Sequence, residues 1–208
     1  MRPRDKLEPG QYYLIGNNGN NNEMLFVEER NFPYFLMLWK RHIRPIAELI
    51  SYILTNDQFQ AVIRVKSEEQ IRKRMIKQAK EGSMSLYFSQ CFSNLFNAYA
   101  KSINKAYFRS GSLFQERYCC SRINSEEELK VQICQVHLYP ERIGIADHFE
   151  KYSHSSYRAL MASGKTMLDR DIVMKCFGGR TNFIKAHEWF RENHKIHLAV
   201  QEVLTGYQ

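Results

Sequence analysis

The spacing of apolar residues along the chain changes period several times, and each change marks an element. Gln11 to Ile15 is apolar enough for a first strand, and Gly16 to Asn22 is a polar loop with no core-forming residue. Between Val27 and about His42, the residues Phe32, Phe35, Leu36 and Trp39 recur at helical spacing. Ile46 to Leu54 reads as a second strand, Asn56 and Asp57 as a turn, and Gln58 to Val65 as a third strand. In that third strand Phe59, Ala61, Ile63 and Val65 point one way, and Gln58, Gln60, Val62 and Arg64 the other. A charged amphipathic stretch, Glu68 to Lys80, is broken at Gly82 and Ser83. A long helix follows, with Phe88, Phe92, Leu95, Tyr99 and Ile103 on one stripe and Asn94, Asn97, Lys101 and Lys105 opposite. Arg109 to Gly111 is a turn, and Arg117 to Ile123 a fourth strand. Ser125 and Glu128 have capping-box spacing at the head of a further helix, which Pro140 is expected to stop near Leu138.

The order strand, helix, strand, strand, helices, strand, helix predicts an α+β fold, with helices packed on one face of an antiparallel sheet. A ferredoxin-like βαββαβ arrangement, the RRM-like sheet, is the natural candidate. Residues 1–164 are expected to form this domain, with 165–208 as a small helical C-terminal extension.

Composition narrows the class. The chain has 208 residues, 44% apolar and 13% aromatic, which excludes a disordered polymer and suffices for one core. Thirty basic and 22 acidic residues leave a net charge of +8, favouring an acidic partner such as nucleic acid or a membrane surface. The five cysteines (91, 119, 120, 134, 176) are odd in number and form no C-x-x-C pair, so neither a disulfide framework nor a zinc signature is present. The N-terminus carries no apolar signal core, and no run of eighteen apolar residues occurs. The expectation is a reduced, cytoplasmic protein that does not enter a membrane.

Several segments, taken in order, resemble one family. Ser93 to Lys105 and Ser110 to Tyr118 are similar to the central region of REP-associated tyrosine transposases, a branch of the single-tyrosine HUH transposases (the IS200-like domain). Val136 to Gly144 resembles the segment that follows their nucleophile. Tyr152 to Arg158, and Leu168 to Arg170 with Phe177 to Arg180, look like the bacterial versions with a longer C-terminus. The likeness runs from about Gly10 to Glu188. It implies a ferredoxin-like sheet and cleavage and rejoining of single-stranded DNA beside a hairpin. A tyrosine attacks the phosphodiester, and Mg or Mn held by two histidines polarises the phosphate.

The residues that would do this chemistry are absent. Where the family's third strand carries His-hydrophobic-His, this chain has Gln58-Phe59-Gln60. Those side chains share a strand face roughly 6–7 Å apart, but neutral amides are weak metal ligands beside imidazole. Asp57 faces the opposite side if it lies on the strand and turns inward if it lies in the loop. Where the nucleophile heads a run like Tyr-Ile-His-Leu-Asn-Pro, this chain has Gln135-Val136-His137-Leu138-Tyr139-Pro140. Tyr139, one helical turn on and displaced by about 6 Å, is the only substitute nucleophile in that run; His137 reads as structural. The usual basic residue after the first strand is also gone, the run being Tyr13 to Gly19. No intact catalytic residue, no metal and no cofactor are therefore expected, with Mg or Mn only if activity survives.

Binding is what remains. From Arg64 to Lys80 there are seven basic residues and two acids, and from Lys101 to Arg122 five basic residues and one acid, interleaved with Tyr107, Phe108, Phe114 and Tyr118. The first cluster suits a solvated helix face. The second coincides with the family-like segment, so Lys101, Lys105, Arg109, Gln115 and Arg117 are the candidate nucleic-acid contacts. The leading expectation is a transposase homologue that binds single-stranded or hairpin DNA, or RNA, as a monomer or homodimer, without cleaving it. The alternatives are an active nicking enzyme using Tyr139 and a protein-interaction module that has left nucleic acid.

Overall fold

The computed structural model describes residues 5–77 and 83–193. Lys80 of the first basic cluster and the last fifteen residues of the expected extension lie outside them. Four strands, β1 (Tyr12–Asn18), β2 (Ala47–Thr55), β3 (Gln58–Val65) and β4 (Cys119–Ile123), form one antiparallel sheet in the order β2-β3-β1-β4. That is the ferredoxin-like order, and the fold is α+β as the element pattern predicts.

Among the described residues the helices are α1 (Asn31–His42), α2 (Glu68–Lys77), α3 (Met84–Ala106), α4 (Glu126–Arg142), α5 (Tyr157–Met161), α6 (Arg170–Phe177) and α7 (Arg180–Glu192). The expected α3 stripe is the buried one: Phe88, Phe92, Leu95, Tyr99 and Ile103 are all in the core. It packs with α1 on the face of the sheet that presents Phe59. The Phe59 ring lies 5.0 Å from Phe35, 6.0 Å from Trp39 and 6.0 Å from Phe96. Strand alternation sends Gln58 and Gln60 to the other face, where α4 crosses β2 and β3.

Local chemistry moved several boundaries. β1 does not stop at Ile15 but continues through Gly16, Asn17 and Asn18, expected to be loop. The ladder to β3 supplies backbone partners that polarity alone does not reveal, pairing Gly16 with Gln60 and Asn18 with Gln58. Asn17 is buried, its amide donating to the Gln115 carbonyl at 3.2 Å. Helix α1 begins at Asn31 rather than Val27. The Asn31 side-chain oxygen Oδ1 accepts from the backbone N–H groups of Val27 (2.9 Å) and Glu28 (2.8 Å), which folds 27–30 into a turn.

Helix α4 starts as expected. The Ser125 hydroxyl accepts from the Glu128 N–H at 3.0 Å, while the Glu128 carboxylate accepts from the Asn124 N–H at 2.7 Å, one residue earlier than the usual box. Ser125→Ala should cost about 1 kcal/mol, readable as a lowered urea midpoint with unchanged slope. The helix does not end at Leu138. It carries Pro140 inside its last turn and runs to Arg142. A proline there removes one backbone donor, but Pro140 and Leu138 are buried, and the chain closes with Ile145 N–H on the Pro140 carbonyl at 3.0 Å. The consequence is that Tyr139 sits on the helix.

Helix α7 packs on α4 through His187 and Phe183, with Phe177 of α6 against Phe183. Among the described residues no helix is long and apolar enough to cross a membrane.

Candidate nucleic-acid interface

The amide pair of β3 meets α4 at Tyr139. The Gln58 NH2 donates to the Tyr139 hydroxyl, and the Gln60 NH2 donates to the Gln58 side-chain oxygen Oε1 at 3.4 Å. All three side chains are half-buried. The Arg142 guanidinium stands over the Tyr139 ring, 5.0 Å from its centroid. Burial pushes the Tyr139 phenol above its ordinary value and the Asp57 carboxylate adds to that, while Arg142 and the Gln58 hydrogen bond oppose it. Tyr139 is therefore a protonated phenol at neutral pH. Gln135, half-buried one turn earlier on the same helix, takes no part in these hydrogen bonds.

A divalent cation does not fit this donor set. It holds two amides and a phenol, all neutral, with Gln58 already engaged through both of its amide atoms. The Asp57 carboxylate, whose charge reaches Tyr139, is exposed in the hairpin turn and accepts from the Thr55 hydroxyl at 2.8 Å. Among the described residues no group of three or more His, Cys, Asp or Glu is placed to hold a metal ion.

Beside this cluster the ends of β1 and β3 meet the loop that follows α3. Asn18 pairs with Gln58 across the ladder, and its carbonyl accepts the Gln115 N–H at 3.0 Å. The Gly19 N–H donates to the Asp57 carbonyl at 2.7 Å, and the Asn20 N–H to the Leu113 carbonyl at 2.9 Å. Gly19 is required here, because a Cβ would sit 1.8 Å from the Glu23 carbonyl oxygen. Gln115 and Arg117 are exposed on the 109–118 loop.

The other candidate contacts are arranged unequally. Lys101 and Lys105 are exposed on the last two turns of α3. Arg109 is committed: its guanidinium pairs with Glu23 and donates to the Asn104 side-chain oxygen at 3.2 Å. That ion pair ties the 109–118 loop to the asparagine-rich loop. Glu23 carried no sequence signal for it. In the first basic cluster Lys66 pairs with Glu48 (3.0 Å) and Arg72 with Glu68 (2.7 Å).

His137 is a buried structural group. The His187 Nδ1 donates to the Phe183 carbonyl (2.7 Å), since a carbonyl only accepts. In the neutral ring its Nε2 must then accept from His137 Nδ1 (2.8 Å), so His137 Nε2 accepts from the Ser156 hydroxyl (2.6 Å). The Ser156 oxygen in turn accepts the Tyr52 N–H at 2.8 Å. This relay joins α4, α7 and β2. His137 lies fifty residues from His187 and nineteen from Ser156, Ser156 lies 104 from Tyr52, and no spacing in the sequence announces the relay.

No family model matches the chain, and no curated protein matches it significantly. Among solved structures it is similar to that of a REP-associated tyrosine transposase bound to a REP hairpin. The TM-score is 0.55 at 9% sequence identity, over 80% of this chain and 89% of that one. The likeness establishes a shared fold.

Proposed function

We propose that this protein binds hairpin or single-stranded DNA and does not cut it. The observation that carries the reading is the cluster of Gln58, Gln60 and Tyr139. On a transposase-like scaffold, the place where the resemblance implies two metal-binding imidazoles is held by neutral side chains bonded to one another. Tyr139 is a poor substitute nucleophile, because burial pushes its phenol above the ordinary value, making it harder to deprotonate, and its oxygen already accepts from Gln58. Gln135 has no oxygen able to form a phosphotyrosine-like ester.

Binding is supported by the fold shared with a hairpin-bound protein, by the net charge of +8, and by exposed Lys101, Lys105, Gln115 and Arg117. Lys101, Lys105 and Arg117 contact phosphates, and Gln115 lies beside them on the loop. Arg109 acts by bracing that loop against Glu23. Phosphate contacts confer affinity without sequence choice.

The test is a labelled-hairpin titration at several salt concentrations, with and without manganese. Affinity should fall steeply with salt. Each of Lys101→Ala, Lys105→Ala and Arg117→Ala should weaken binding and reduce the log–log salt slope by about 0.7–0.9. No SDS-resistant adduct should form. A covalent adduct abolished by Tyr139→Phe would make the protein an active nicking enzyme, and absence of binding at low salt would make it a protein-interaction module.

A further inference from the structure

Four aromatic residues interleave with the basic residues between Lys101 and Arg122, and the fold uses three of them for packing. Phe114 is buried against Phe96, and Tyr118 against Phe92, each pair with ring centroids 4.9 Å apart. Tyr107 is half-buried, its hydroxyl donating to the Asn31 side-chain oxygen at 3.2 Å. Phe108 is different. It is 98% exposed, and its backbone has φ of +52°, in the left-handed region that a bulky L-residue rarely adopts.

The ring buries nothing. The left-handed backbone is the C-cap of α3: Phe108 follows the cap residue Tyr107, and the bonds that close the helix hold it in a conformation that costs more for a bulky residue than for glycine. Tyr107 N–H closes α3 on the Ile103 carbonyl at 3.0 Å, and Arg109 N–H bonds the Asn104 carbonyl at 2.9 Å. The Asn104 amide donates to the Gly111 carbonyl at 2.9 Å, and Arg109 is pinned by Asn104 and Glu23. The ring therefore projects into water from an anchored loop, immediately after the two turns of α3 that expose Lys101 and Lys105.

An exposed aromatic on a tied-down loop, next to lysines one helical turn apart, matches what an unpaired nucleotide requires: a flat face for the base and cations for the phosphates. We propose that Phe108 is a stacking platform for an unpaired base of the bound strand, with Lys105 and Lys101 on the adjoining phosphates. This rests on the nucleic-acid reading above and deepens it. It assigns the base-holding residue and makes the preferred ligand one that offers an unstacked base rather than a continuous duplex.

The experiment uses the full chain and hairpins carrying 2-aminopurine at successive single-stranded positions. Phe108→Ala should weaken hairpin binding by about 5- to 140-fold, the range expected for one stacked base. It should leave the salt slope as in the wild type and abolish the fluorescence change at one 2-aminopurine position. Phe108→Trp should restore affinity, with its own emission quenched on binding. A continuous duplex should bind the wild type and Phe108→Ala alike. Phe108→Gly, which relieves the left-handed strain, should melt at or above the wild-type temperature, separating this role from a structural one. Hairpin binding by Phe108→Ala at wild-type strength would overturn the assignment and leave the nucleic-acid reading intact. Failure of the wild type to bind any hairpin would remove both.

Discussion

Lowering the pH from 7 to 4.5 should destabilise the fold by about 2–3 kcal/mol through His187 alone, with His137 adding in the same direction. Burial holds the His187 imidazole down to about 4, opposed by its bond to the Phe183 carbonyl. Burial, and then the neighbouring His187, hold His137 well below its ordinary value. Both are depressed in the folded state, so protons bind more tightly to the unfolded chain. Stability is full above about pH 6.5, the unfolded value, and is lost as pH falls towards 4. The geometry explains the cost. A proton on His187 Nε2 would set a donor against the His137 Nδ1 donor, and one on His137 Nε2 would set a donor against the Ser156 hydroxyl hydrogen. Urea midpoints at pH 7, 6, 5 and 4.5 read the effect directly. His187→Gln should lower stability at pH 7 but flatten the pH dependence. A wild-type midpoint unchanged down to pH 4.5 would contradict the neutral relay.

Phe59→Ala should remove about 3–5 kcal/mol of stability. Phe59 is the central ring of the core between sheet and helices, within 5.0–6.5 Å of the rings of Phe35, Trp39, Phe96 and Phe114. Truncation leaves a cavity bounded by α1, α3 and the 109–118 loop, which large neighbouring rings cannot fill without leaving their own contacts. Gln60→Ala, one residue along but on the opposite face, should cost less than about 1 kcal/mol. The contrast in urea midpoints tests the strand alternation on which the position of the amide pair depends. Similar losses for the two variants would mean that the faces are misassigned.

Much of the architecture was legible because it is local. Strand β3 carries its period-two alternation openly, and α3 shows its stripe from Phe88 to Ile103. Ser125 marks the head of α4 by its own hydrogen-bonding chemistry. The boundaries that moved depend on bonds and packing that the apolar period does not show. Gly16 to Asn18 became strand because β3 lies alongside. Residues 27–30 left the helix because Asn31 caps them, and Pro140 stayed in one because the buried packing of α4 offsets a missing donor.

By itself the sequence determined the chemical types: amides at 58, 60 and 135, a phenol at 139, and cations on α3. Only the tertiary structure decided which of them meet. Gln58 and Tyr139 are eighty-one residues apart, and their hydrogen bond exists because α4 crosses the strand face that Phe59 does not use. The same holds for Arg109, turned from a free cation into a brace by Glu23, and for Phe108, which alone of the four interleaved aromatics finds no place in the core. Residue identity fixes what a side chain can do. Which atoms it faces is set by packing between segments distant in sequence, and no local period encodes that.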